Sequence, residues 1–214
     1  MKRIALFTVL TLALMTSSGM AMDAAGSSLG NLCTAQPLGM GIGNFSIGIG
    51  LADLTSVSGG FGYGISEHTD GRIRLALVDD ENIDTKIALG VDFKYQLVSV
   101  DGISNGPFDM GLGAFVEYID VDAWSVFQVG GQYIGSYPVK LNSGRTLTPY
   151  GRFNIRIESI SWEGGSAVHE DETNLEFGLN GGVMWELTNT INVFGEFQID
   201  GNDGVFFGID FNVL

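Results

Sequence analysis

From about residue 40 to the end, the chain alternates apolar and polar positions almost without a break. A period of two is the signature of β-strands, because successive side chains on a strand point to opposite faces. The apolar positions run Phe45, Ile47, Ile49, Leu51, then Phe61, Tyr63, Ile65, then Ile73, Leu75, Leu77. The same rhythm continues from Ile87 to Leu97, Phe108 to Tyr118, Phe127 to Tyr133, Phe153 to Ile157, Leu175 to Leu187, Ile191 to Ile199 and Val205 to Val213. Stretches such as "HTDG", "DGISNG", "LNSG", "TNT" and "GNDG" separate these runs, and their Gly, Asn, Asp and Ser content is turn chemistry. The reading is ten strands, with eight as the alternative count. A slip of phase is expected near Trp124 to Val126, where the alternation falters. No segment with the helical period competes.

The face between the apolar positions decides the class. It carries Asn44, Ser46, Gly48, Gly50, Gly60, Gly62 and Gly64 in the first two strands, and charged residues of both signs in the later ones. The polar face of a soluble sandwich would be rich in solvated Lys, Thr and Ser. Glycines and opposite charges on one face, with bulky apolar residues on the other, describe an inverted barrel: lipid outside, polar lumen inside. Several runs reach about ten residues, which is what a tilted membrane-spanning strand requires. Tyr63, Tyr95, Tyr118, Trp124, Tyr133, Trp162 and Trp185 fall mostly near strand ends, where aromatic girdles sit at the headgroup level. Within the lumen the expected charge network is Arg72, Arg74, Asp92, Lys94, Glu117, Arg152, Arg156, Glu158, Glu176, Glu196 and Asp210. The glycines of the first two strands leave room along one wall, for water or for long Arg side chains reaching across.

The N-terminus reads differently. "MKR" followed by "IALFTVLTLALM" and small residues up to Ala21 has the form of a cleaved secretory signal, too short to span a bilayer as a helix. Residues 1–21 are therefore set aside, and 22–39, small and polar with Pro37, are expected to be a flexible lead-in to a barrel over 40–214. The net charge is −15, and removal of Lys2 and Arg3 makes the mature chain more negative still. This acidity excludes ordinary nucleic-acid binding, which uses a basic patch. The single cysteine, Cys33, cannot form an internal disulfide, and "GNLC" lacks the small residues that precede a lipidated cysteine.

The last strand, Gly208, Ile209, Phe211 and Val213, resembles the C-terminal strand of bacterial outer-membrane β-barrels of the OmpA-type and porin-like superfamily, although it ends on Leu214 rather than an aromatic. That resemblance implies an integral outer-membrane barrel, recognised by the barrel-assembly machinery and seated among outer-membrane lipid and lipopolysaccharide. It also implies an even strand number and both termini on the periplasmic side. The outer connections then hold Asp53, Asp79, Asp80, Glu81, Asp84, Asp120, Asp122, Glu163, Glu170, Asp171, Glu172, Asp200 and Asp203 and no Lys or Arg, an acidic rim. Three functions are open on these residues. One is a non-enzymatic structural or surface barrel with a largely plugged polar lumen. Another is a narrow diffusion channel preferring small cations. The third is a lipid-directed or proteolytic enzyme using His169 or His68. No zinc spacing, phosphate loop or nucleophile elbow is present, and no cofactor or metal is expected.

Overall fold

The structure, a computed structural model, describes residues 26–80, 83–97, 108–121, 124–162 and 172–213. Its strands are β1 (Gly43–Ala52), β2 (Thr55–Ser66), β3 (Thr69–Asp80), β4 (Ile83–Leu97), β5 (Asp109–Val121), β6 (Trp124–Ser136), β7 (Val139–Lys140), β8 (Thr146–Trp162), β9 (Glu172–Glu186), β10 (Ile191–Ile199) and β11 (Gly204–Val213). Each pairs antiparallel with its neighbour in sequence, except that β7 forms a short ladder with the start of β8 and β6 pairs with β8 past it. The ring closes between β1 and β11, in register from Gly43↔Val213 to Ala52↔Gly204. The result is a closed antiparallel barrel of ten strands, and the count of eight is excluded. Closure leaves no strand edge with unpaired backbone groups, the condition for a sheet to exist in hydrocarbon.

The barrel is inside out relative to a soluble protein. Ile47, Leu75 and Leu175 on the outer face are half exposed or more, whereas Lys94, Glu117 and Arg156 in the lumen are 4% exposed or less. The β5–β6 ladder runs unbroken from Asp109↔Ser136 to Val121↔Trp124, so the expected phase slip does not occur. The alternation falters there because Val126 is apolar and faces inward, joining Leu54, Ala76, Val78, Ala88 and Ile119 in an apolar cluster inside one mouth. Tyr63, Tyr95, Tyr133 and Trp185 are exposed on the outer face toward the mouth that holds the C-terminal end of β11. Tyr118 is exposed near the opposite mouth, where Trp124 and Trp162 are cross-strand partners and Trp124 packs on the inner apolar cluster. Ile209, Phe211 and Val213 of the closing strand face outward, and Gly208 faces the lumen.

The largest departure from expectation lies before β1. Residues 26–38, expected as part of a flexible lead-in, are not a free tail. The chain reverses at Gly39 and Gly41, both with positive φ (90° and 81°), and the Gly41 amide donates to the Gly64 carbonyl at 2.8 Å. It then runs back through the lumen, antiparallel to β1. Leu38 lies against Gly62, opposite Asn44; Leu32 lies against Gly48; Gly30 lies beside Phe206, opposite Gly50; and Gly26 lies beside Asn202 in the β10–β11 turn. The segment thus passes from the mouth with the C-terminal end to the opposite one. The expectation that both ends of the chain sit at one mouth holds for the barrel strands and not for the segment.

Candidate functional site

A chain that crosses a lumen without joining the sheet has no ladder to satisfy its main-chain groups. Each buried N–H and C=O must find a side chain or be left unpaired. The wall supplies those side chains. Glu117 accepts hydrogen bonds from the Ser28 amide (2.9 Å) and from the hydroxyls of Ser27 (2.8 Å) and Ser28 (3.1 Å). Glu196 accepts from the consecutive amides of Asn31 (2.7 Å) and Leu32 (2.8 Å). Further along, the Ser136 hydroxyl accepts from the Ala35 amide at 3.2 Å and Asp70 accepts from the Leu38 amide at 2.9 Å.

The carbonyls meet donors. Gln128 donates to Gly26 (2.6 Å), and Gln198 and Asn202 both donate to Ser27 (2.6 and 2.9 Å). Arg74 donates to Leu29 (3.1 Å) and Gly30, Arg72 to Asn31 (3.0 Å), and Lys94 to Thr34 (2.8 Å) and Gln36 (2.7 Å). Acids therefore take the amides of Ser28, Asn31, Leu32 and Leu38, and bases take the carbonyls of Leu29, Gly30, Asn31, Thr34 and Gln36, while neutral side chains serve Gly26, Ser27 and Ala35. Hydrogen bonds with one charged partner are worth roughly 1.5–3 kcal/mol each, more than neutral ones.

The segment's apolar side chains explain the lumen glycines. Leu29 sits in the cluster of Ala76, Val78, Ala88, Ile119 and Val126, and a Cβ on Gly90 would lie 2.4 Å from its Cδ1. A Cβ on Gly48 or Gly208 would lie 3.0 Å from Leu32 Cδ1, and one on Gly62 would lie 3.1 Å from Leu38 Cδ1. Cys33 and Ala35 pack with Ile134. The room on the glycine wall is thus filled by leucines of the segment and also by the stems of Arg72 and Arg74, which lean over Gly62 and Gly60. A cavity of about 180 Å³ lies toward the C-terminal mouth, bordered by Cys33, Gln36, Leu38, Asn44, Asn192 and Asp210 among others.

The expected charge network divides into groups. Arg72 and Arg74 both flank Asp92 (2.9 and 3.3 Å), and Lys94 pairs with Asp70 (3.3 Å). With Glu117 and Glu196 these residues surround the segment. Arg156 pairs with Glu158 (3.3 Å) and reaches Asp200 (3.9 Å) near the far mouth, with Glu176 opposite it in the β8–β9 register. Among the described residues Arg152 forms no ion pair within 4 Å; its guanidinium lies 4.9 Å from the centre of the Phe115 ring, a cation–π contact. Asp210 borders the cavity.

Sequence reasoning missed several participants. Tyr150 donates to Glu196 at 2.7 Å, and Asn180 does so at 2.8 Å, so one carboxylate is shared by wall and segment. Asp200, expected on a solvated acidic rim, is 4% exposed, and Asp70, expected in an ordinary turn, is 2% exposed. Burial raises the Asp200 carboxyl to about 7, with Arg156 opposing the shift. Asp53, Asp79, Asp120, Glu172 and Asp203 are exposed as a rim would be. The side chains of Asp80 and Asp84 and the residues Glu81, Asp122, Glu163, His169, Glu170 and Asp171 lie outside the described residues. His68 is exposed in the β2–β3 turn, its amide bonded to the Ser66 hydroxyl at 3.2 Å. Among the described residues no three His, Cys, Asp or Glu side chains come together to hold a metal.

No family model matches the chain, and no curated protein matches it in sequence. Among solved structures it is similar to the N-terminal β-barrel domain of Pseudomonas aeruginosa OprF, with 9% identity and a TM-score of 0.39 over 82% of this chain and 99% of that one. It is also similar to the KdgM porin, with 8% identity and a TM-score of 0.40 over 78% and 98%. A third is the β domain of the Bordetella autotransporter BrkA, with 10% identity and a TM-score of 0.46 over 80% and 97%. These likenesses concern the fold; what the lumen does is argued from its own side chains.

Two predictions follow from this geometry. Gly90→Ala places a methyl where Leu29 now lies, and overpacking of this kind costs about 1–3 kcal/mol. In the Leu29→Ala background that cost disappears, giving a coupling measurable by a double-mutant cycle of unfolding in lipid or detergent. Additive effects would mean that Leu29 is not in the lumen. The second concerns pH. A buried carboxyl raised to about 7 favours its neutral form in the folded state. Its contribution to stability is complete below about pH 4 and is lost as pH rises through about 7. Relative to Asp200→Asn, the wild-type protein therefore loses stability between those values, by up to about 4 kcal/mol. Denaturant titrations of both proteins at pH 4, 6 and 8 check it.

Proposed function

We propose that the protein is a bacterial outer-membrane barrel with a structural or surface role, non-enzymatic, whose lumen is held closed by its own residues 26–38. The apolar belt suits it to the outer-membrane lipid and lipopolysaccharide, and the patterned closing strand to the barrel-assembly machinery. One observation carries the reading: side chains of the wall accept from the amides of Ser28, Asn31, Leu32, Ala35 and Leu38 and donate to the carbonyls between them. A water-filled pore would leave those wall charges hydrated and facing the permeation path. Here they are turned onto a peptide. A cavity lies toward one mouth, beside Cys33 and Leu38, and the other mouth holds the Leu29 cluster.

The test is ion current across a planar bilayer. The refolded mature protein is expected to insert and remain silent. Glu117→Ala combined with Glu196→Ala removes the acceptors of the Ser28, Asn31 and Leu32 amides, leaving buried donors unpaired at about 1–3 kcal/mol each. That variant is expected to show intermittent conductance as the segment leaves the lumen. Heat-modifiable migration in gels establishes that both proteins are folded. Stable, cation-selective steps from the unmutated protein would contradict the proposal and favour the diffusion channel.

A further inference from the structure

The cavity of about 180 Å³ at the C-terminal mouth has one wall from the lumen segment and the other from the barrel. Leu38 and Gln36 belong to the first wall, and Asn192, Asp210 and Asn212 of β10 and β11 to the second. Asp210 stands directly across the ladder from Asn192. Gln36 is exposed and Asn192, Asp210 and Asn212 are partly exposed, so the space communicates with that mouth. Four charged residues border it, Arg72, Lys94, Asp70 and Asp210, and their formal charges cancel. Such a site suits a solute without net charge, because a lone buried charge is costly. Two of the four are already engaged. Lys94 donates to the Thr34 and Gln36 carbonyls (2.8 and 2.7 Å) and pairs with Asp70 (3.3 Å), which also accepts from the Leu38 amide. Arg72 gives Nε to Asp92 and Nη1 to the Asn31 carbonyl, while its Nη2 has no partner among the described residues. A positive pole with an unused donor is thus left at Arg72. The negative pole is Asp210, with the Asn192 amide beside it as a further acceptor. Met184, Phe194 and Leu38 supply apolar surface.

We propose that this cavity binds a small zwitterion, an α-amino acid with an aliphatic side chain. The ligand's carboxylate takes the guanidinium of Arg72, its ammonium goes to Asp210 and Asn192, and its side chain lies against Met184, Phe194 and Leu38. The volume agrees: a cavity of ~150 Å³ accommodates benzene, so this one has room for about nine non-hydrogen atoms. A sugar or other polyol offers hydroxyls on every side and would leave some of them against the apolar surface without partners. The site is complete only while Gln36 and Leu38 are in the lumen, so the proposal rests on the closed-lumen reading. It also deepens that reading. A solute that touches both walls binds only the seated form, and by linkage it favours that form more as its concentration rises. The lumen segment is then tightened in place by a small solute arriving at the C-terminal mouth.

The experiment is calorimetric titration of the refolded mature protein in detergent, with leucine as the probe. Saturable binding at one site is expected. N-acetylleucine lacks the ammonium and leucinamide lacks the carboxylate. Each is expected to bind about tenfold more weakly or worse, the loss of one charge-assisted contact. Asp210→Asn is expected to weaken leucine by a similar factor and to leave N-acetylleucine unchanged, because the contact it removes is the one to the ammonium. Heat-modifiable migration in gels establishes that the variant is folded, and Asn192→Ala serves as a second variant on the same wall. Absence of saturable leucine binding would overturn the proposal. So would equal binding of the acetylated or amidated form, or binding of glucose in place of leucine. Leucine binding that neither Asp210→Asn nor Asn192→Ala weakens lies elsewhere and overturns it too. None of these results touches the closed lumen, which fails separately, on stable ion conductance by the unmutated protein.

Discussion

A ten-stranded barrel is too wide for its own side chains. Eight strands enclose an interior that side chains just fill, and the diameter grows with strand number. The extra width must hold either water or more protein. The rest of this structure depends on which occupies it, and here a stretch of the same chain does. Residues 26–38 take the space, and the glycines of β1, β2, β4 and β11 mark where their side chains lie.

Putting a peptide inside a polar lumen exchanges one problem for another. An extended chain brings an amide and a carbonyl per residue, and leaving them dry is expensive. The wall answers with charges of both signs, each opposite the group it suits. Glu117 and Glu196 are 2% and 4% exposed, and burial of that kind is tolerable only because each carboxylate accepts three or four hydrogen bonds. Arg72 and Arg74 divide their donors between Asp92 and the segment's carbonyls. The ion pairs and the peptide contacts are therefore one network, and removing the segment would strand charges on the wall as well as empty the lumen.

The barrel was legible in the sequence because its information is local: a period of two, with the faces distinguished by residue type, survives in any ten-residue window. The apolar cluster behind Val126 and Ile119 was misread as a break in phase because an apolar residue in a polar lumen violates the local rule for a reason set elsewhere, by Leu29. Asp92, Lys94 and Arg156 are buried, and their role was not visible in the sequence. It depends on contacts between residues separated by 89 positions, as for Ser28 and Glu117, or 165, as for Asn31 and Glu196. One trace of the segment is present in its own sequence: Leu29, Leu32, Ala35 and Leu38 recur at every third position. That period belongs to neither a helix nor a sheet strand, and within a small, polar stretch beside Pro37 it reads as linker. Asp200 was assigned to the rim for a similar reason, since an acid in "IDGNDG" looks like turn chemistry until its burial against Arg156 is seen.

The presence of residues 26–38 in the lumen is tested most directly by the reactivity of Cys33 in the unmutated protein. Its thiol is 9% exposed, packs with Ala35 and Ile134, and lies 3.3 Å from the Asn31 side-chain oxygen. A bulky, charged maleimide added to the folded protein should react about a hundredfold more slowly than after unfolding, on the scale set by an opening equilibrium of a few kcal/mol. Equal rates in the folded and unfolded protein would place Cys33 on a free tail and contradict the account.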